Sequence, residues 1–411
     1  MKYLFKACSL VIVLILFFSM ISCSRDKKSP QKGSLNILIE NNTTSDMEGV
    51  NSLISLYQKE HSSIDIKVKN INSFDKIKKE IANKKEHDIL ICNRSVMIEL
   101  AREGLIGDIT NNLTTNKATE KFNNIVLSYG RIDNKYYGLG IIPYSIQFIY
   151  NKNEVGKYGI NTELEDVGDV GDVAKLLKDR NIKIPVVLPK EIDLSLALST
   201  IVANNVIDEM ELEKNFDVGK LKYKQITSMQ DVFKLLNIIN KEYGMTKDTL
   251  YKADDKIVKK VEEGEIPFAF VTSLAGKELE DSKNIKILNG RVLPTSKINP
   301  PIIVEHLVCS IQNAPDKEEI NRFLDFITKD EPYEKLGKEG IMTGNKQGNT
   351  FLKGFSQEML WPLSIANENN IAYYYNLPSE MQPFLLDEVN KVFDGLYSGN
   401  EWNTVVENTY K

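Results

Sequence analysis

The stretch YYGLGIIPYSIQFIYNKNEV, Tyr136 to Val155, is apolar enough to be a buried strand, yet Gly138, Gly140 and Pro143 interrupt its first half. A polar PYSIQ segment then stands in front of FIYNK. Glycine inside a strand pattern marks a bulge or a close backbone approach, and proline is kept out of central ladders. The question the stretch sets is why a strand should enter a core, break, present Tyr144 and carry on.

The sequence on either side supplies the setting. LNILIE (Leu35–Glu40) reads as a strand, and Ser45 with Glu48 has capping-box spacing before Met47, Val50, Ile54 and Tyr57 at helical period. IDIKV (64–68) alternates like a strand, and Phe74, Ile77 and Ile81 share a helical face. DILIC (88–92) is a short apolar strand, followed by the helix SVMIELAREG with Gly104 as its stop. Strand and helix in strict alternation define an α/β layer with a largely parallel sheet. The alternation resumes with DVGDVAKLLKDR as a helix, IPVVLP as a strand, and a helix capped by Ser228 with Gly244 as its stop. KIVKKVEEGEIPFAFVTS then passes from helix to strand through Gly264, and two short helices follow, with Pro332 near the start of the second.

The chain has 411 residues, 42% hydrophobic and 27% charged, which fits two or three globular domains and not a disordered protein. With 52 Lys+Arg against 57 Asp+Glu there is no basic excess to suit nucleic acid. Lys2 and Lys6 precede the apolar run Ala7–Ser22, which ends at Cys23 before polar SRDKKSPQKGS. This has the shape of an export signal, too short for a spanning helix. It resembles a bacterial lipoprotein box with Cys23 as the lipidated residue, Met20 standing where Leu is usual. Cys92 and Cys309 remain in the exported chain, readable as two small buried residues or as a disulfide.

DILICNRSVMIELAREGLIGDIT, YYGLGIIPYSIQFIYNK behind the hairpin-like RIDNK, EEGEIPFAFVTSLAGKEL before NIKILNGRVLPT, and KEEINRFLDFITKDEPYEKLGKEG occur in that order. Order and spacing resemble the extracellular solute-binding proteins of ABC importers, in the branch that includes maltose-binding protein, from Leu35 to the C-terminus. The resemblance implies a two-lobed α/β fold of the periplasmic-binding-protein type II, with three hinge crossings and the ligand between the lobes. On that reading residues 1–22 are the signal peptide and 23–34 a tether; 35–143 plus 292–312 form lobe one, and 144–291 plus 313–411 form lobe two. The crossings fall at Pro143–Ile146, Arg291–Thr295 and Ile311–Lys317, where Gly140, Pro143, Pro294 and Pro315 absorb changes of direction.

Tyr144 is then expected at the cleft mouth, where its ring stacks on a ligand or fills the hinge core. Ligands of open α/β sheets lie beyond the carboxyl ends of the strands. That brings in Asn41 and Asn42 after the first strand and Asn93, Arg94 and Ser95 after DILIC, Arg94 serving a ligand or simply solvated. Glu305 and His306 stand where many relatives carry paired glycines, and His306 is either functional or structural. Where sugar-binding relatives often offer a tryptophan, this chain has Leu274, and Ser273 before it is the expected lobe-two ligand contact. Lobe-two aromatics could come instead from Trp361 and Tyr373–Tyr375, Tyr374 among them, although that run also reads as surface packing.

The implied partners are a small polar solute, sugar-like by family default, an ABC permease, and the outer face of the cell membrane through N-terminal lipid. The protein is expected to be a monomer needing no cofactor or metal. A lipoprotein that reports ligand to a membrane kinase is the alternative. An exported enzyme has no support: there is no nucleophile elbow, no zinc spacing, and only three histidines.

Overall fold

The computed structural model describes residues 33–40, 46–83, 86–158, 170–189, 192–279, 282–288 and 300–411. The signal peptide, Cys23, most of the tether, Ser45 and the expected crossing at Arg291–Thr295 lie outside the described residues. No described helix is long and apolar enough to cross a membrane.

The first sheet grows from β1 (Ser34–Glu40), with β2 (Asp65–Ile71) and β3 (Ile89–Cys92) parallel on its two sides. Ile37 faces Val68 on one side and Ile89 on the other. β3 is buried throughout and central; β2 is the edge, largely exposed and carrying Lys67 and Lys69, which discourage pairing with another chain. The connecting helices, Met47–Glu60 and Phe74–Asn83, are those the periodicity predicts.

The interrupted stretch resolves into a hairpin and two strands. β4 (Arg131–Ile132) and β5 (Lys135–Tyr136) pair across Asp133 and Asn134, both with positive φ (47° and 64°), the backbone of a tight two-residue turn. β6 (Leu139–Gly140) closes the first sheet, and β7 (Tyr144–Asn151), buried at every position, is central to the second. The chain therefore leaves one sheet after Gly140 and enters the other at Tyr144. Gly130, Gly138 and Gly140 all lack positive φ. Crowding explains them instead. A Cβ on Gly130 would lie 1.8 Å from the Gly138 carbonyl oxygen, and one on Gly140 2.9 Å from Val304.

In the second sheet, β7 is antiparallel to β10 (Phe268–Thr272) and β11 (Ile285–Leu288), and β8 (Ile184–Val187) joins β10 to β9 (Leu250–Ala253) in parallel. β12 (Ile302–Ile303) pairs with Ser145 and Tyr144 at the start of β7. β13 (Leu307–Ser310) then returns to the first sheet, antiparallel to β3 and β6. Cys92 and Cys309 are free and fully buried on these neighbouring strands, in diagonal positions: Cys92 faces Leu307 and Cys309 faces Leu90.

The expected third departure at Ile311–Lys317 needs correction. The Lys317–Ile327 helix packs on β1 and on the Met47–Glu60 helix. Tyr57 donates to Glu319 there, and its ring lies 4.9 Å from Phe323 and 5.1 Å from Phe326. The chain stays with the first sheet at least to Asn345, which bridges Phe122. Gly354–Glu358 is the first helix to pack on the second unit, against Ser273–Leu279. An amphipathic pattern shows that a helix buries Ile320, Phe323, Leu324 and Ile327; it does not show against which sheet. A smaller difference concerns Ser228, which is the first helical residue and not the cap; Thr227 holds that place.

Candidate ligand-binding site

Where β6 hands over to β7 the structure gathers polar groups in two patches. The first surrounds Tyr144. Its ring is 1% exposed, which corrects the expected place at the cleft mouth: no part of it is presented to solvent. The side chain borders a narrow crevice walled by Pro143, Ser145, Ile302, Met342 and Leu363, with no room for a water molecule in this arrangement. Its hydroxyl meets no hydrogen-bond partner among the described residues. Burial, and after it the nearby Glu305, Tyr375 and Tyr374, hold its phenol well above the ordinary range. Tyr374 and Tyr375 are buried too, with ring centroids 4.4 Å apart, so this tyrosine run is interior and not surface packing. Ser273 Oγ accepts from the Ser145 backbone N–H at 3.1 Å, fixing the residue next to Tyr144.

Glu305 and His306 adjoin this patch between β12 and β13. His306 turns Nδ1 to the Asp46 carboxylate at 2.8 Å and Nε2 to the Glu40 carbonyl at 3.0 Å. Two acceptors on the two ring nitrogens require the doubly protonated imidazolium. Burial would lower its pKa, but the Asp46 charge and hydrogen bond, with the Glu40 carbonyl, raise it to about 9. His306 thus fastens the end of β1 to the start of the Met47–Glu60 helix, the structural one of its two expected roles.

The second patch is built on Asn93, Arg94 and Ser95. Asn93 caps the Arg94–Arg102 helix by accepting from Val96, while its backbone and side-chain N–H groups both donate to Glu40 at 2.9 Å. Arg94, expected as a ligand contact or a solvated charge, is fully buried against protein acceptors. Nε donates to Asn376 Oδ1 at 2.7 Å, Nη1 to the carbonyls of Ser128, Tyr129 and Arg131 at 2.6–3.0 Å, and Nη2 to Glu213 at 2.6 Å. Ser95 donates to the Tyr375 carbonyl and accepts from Gln382. Tyr129 joins the two patches: its hydroxyl donates to Ile302 O at 2.6 Å and accepts from Ala372 N, and its ring meets Tyr375 edge-on.

Tyr144, Glu305, Tyr374 and Ser273 thus come together, with Asn93, Arg94 and Ser95 alongside. Trp361 is half-buried and does not line the Tyr144 crevice, although Leu363 of the same Trp361–Ile365 helix does. Asn41 and Asn42 lie outside the described residues. Sequence reasoning missed Tyr129, Asn376 and Glu213. The last is 119 residues from Arg94 in EMELEK, a helix whose charges carry no mark of a buried partner.

Two α/β units between which the chain passes, with buried tyrosines at the seam, are the architecture of a two-lobed binding protein. The chain belongs to the bacterial extracellular solute-binding protein family, whose model matches residues 41–334. It is a binding protein and not an enzyme. No curated protein sequence matches it. Solved structures share the fold. An ABC transporter solute-binding protein from Thermotoga lettingae bound with α-D-tagatose is 14% identical, with a TM-score of 0.63 over 92% of this chain and 99% of that one. A family 1 extracellular solute-binding protein from Bifidobacterium longum subsp. infantis is also 14% identical, with a TM-score of 0.65 over 92% and 99%. A third, from Agrobacterium vitis with bound D-mannitol, is 14% identical, with a TM-score of 0.62 over 92% and 97%.

Proposed function

We propose that this protein is a lipid-anchored receptor that captures a sugar or polyol between its lobes and delivers it to an ABC permease. The observation that carries the reading is the Tyr144 hydroxyl. A buried polar group without a partner costs roughly 1–3 kcal/mol, and such groups in native proteins usually serve a function. This one stands at a closed crevice in the seam between the sheets, among tyrosines and with Glu305 close by, so a ligand reaches it only when the lobes part. Aromatic faces with polar tips suit a ring that is apolar on its faces and hydroxylated at its rim. Tagatose and mannitol in two proteins of this fold support the ligand class. The lobes close about the passages at Gly140–Tyr144, between β12 and β13, and between Asn349 and Gly354. Lipid on Cys23 holds the protein at the outer face of the cell membrane, where a monomer meets its permease.

A thermal-shift panel of monosaccharides, disaccharides and polyols tests the ligand class, since a ligand bound only by the native state raises the melting temperature. At least one member should do so, and a panel without effect overturns the class. Detergent partitioning tests the anchor: wild type should enter the detergent phase and Cys23→Ala the aqueous phase, whereas equal release of both removes it. Several acyl chains are needed for stable retention, because one alone binds marginally.

A further inference from the structure

A cavity of about 210 Å³ lies away from Tyr144, between the β4–β5 hairpin and the Glu209–Lys214 helix. Its wall carries four carboxyl groups, on Glu209, Glu213, Asp133 and Glu368, against two cationic side chains, on Arg131 and Lys214. Acidic excess alone does not make a site. The deciding feature is Glu209, which is 2% exposed and whose Oε1 has no partner among the described residues. Its Oε2 accepts from Asn376 Nδ2 at 2.8 Å.

The donors behind this wall already serve protein acceptors. The Asn376 amide gives one of its N–H groups to Glu209 and takes one from Arg94. Arg94 is spread over Asn376, three carbonyls and Glu213. A ligand bringing N–H groups meets the unpartnered Glu209 Oε1, whereas an anion entering here faces the four carboxyl groups of the wall. Burial pushes the Glu209 carboxyl up to about 8 against the pull of Asn376 and Arg94, so it gains its full negative charge only above that pH or when a cation enters. Met210 and Ile371 supply apolar wall for a short carbon chain.

We propose that this cavity binds a small organic cation bearing primary ammonium groups, with Glu209 as the principal acceptor. The ligand would touch the hairpin beside the first sheet and the Glu209–Lys214 helix together, and so favour the arrangement in which Arg94 reaches Glu213. The site is separate from the sugar or polyol site and does not depend on it.

Calorimetry on the full chain purified in detergent, with putrescine as probe and 1,4-butanediol as its neutral counterpart, tests the proposal. Wild type should bind putrescine saturably and butanediol at least tenfold more weakly. Glu209→Gln, which keeps the shape and the Asn376 contact, should weaken putrescine at least tenfold. Met210→Trp fills the cavity from a residue that is 56% exposed, so folding is spared, and it should do the same. Tyr144→Phe should leave putrescine affinity unchanged, which separates this site from the other. No putrescine binding by wild type, equal affinity for butanediol, or unchanged affinity in Met210→Trp overturns the proposal. Should Glu209→Gln fail to give a cooperative melt, Met210→Trp decides.

Discussion

Arg94 and Tyr144 are both large polar side chains buried at the seam between the sheets, and they differ in how they are matched. Arg94 has acceptors for every nitrogen, drawn from five residues distant in sequence. Tyr144 keeps a hydroxyl with none among the described residues. A buried charge survives only when paired and hydrogen-bonded, so Arg94 acts as a fastening whose removal should be costly. A buried hydroxyl left idle weakens the fold slightly and is retained for another purpose. Satisfaction of hydrogen bonds, more than residue type or burial, separates scaffold from site here.

The largest effect that would break this contrast is at Arg94. Arg94→Met should lower unfolding free energy by about 3 kcal/mol, the low end for a broken buried ion pair, because Glu213 keeps access to water. Urea denaturation followed by circular dichroism measures it, and a loss under about 1 kcal/mol would remove the fastening role. His306 offers an effect of similar size through pH. Its folded pKa of about 9 lies above the ordinary 6.5, so its contribution is fully present below about 6.5 and is lost as pH rises through 9. Melting curves should show stability falling by roughly 3 kcal/mol across that window, and His306→Asn should flatten the fall. Gly130→Ala sharpens the account of the glycines. A Cβ placed 1.8 Å from the Gly138 oxygen forces the backbone apart, at about 2 kcal/mol by the usual scale of overpacking. If Gly130→Ala proves neutral, close approach is not why glycine stands there.

Much of the architecture was legible because periodicity and punctuation are local. β1, β2, β3 and their helices follow from alternation, and Gly104, Gly244 and Gly264 all end helices with positive φ. Where Gly138–Pro143 break the pattern, the chain passes from β6 of the first sheet to β7 of the second. Contacts between distant segments were not legible. The Lys317–Ile327 helix shows an apolar face in sequence, but only the fold matches that face to Tyr57 and β1. The site divides the same way. Tyr144, Tyr374, Glu305 and Ser273 were named from the passage between sheets, the resemblance and a strand end, whereas Arg94 read as a loop cation because its acceptors are backbone carbonyls and residues up to 282 positions away. A carbonyl acceptor has no sequence signature.

The smallest expected change in stability belongs to the most direct test, Tyr144→Phe. The substitution removes one oxygen and leaves the ring, so melting temperature and binding can be read on the same protein. Losing an unmatched buried hydroxyl should leave stability unchanged or raise it by up to about 1 kcal/mol. Affinity for the sugar or polyol selected by thermal shift should fall roughly tenfold, the worth of one hydrogen bond made only with ligand. A lower melting temperature together with unchanged affinity would contradict the account, because it would make the Tyr144 hydroxyl part of the scaffold and not of the site.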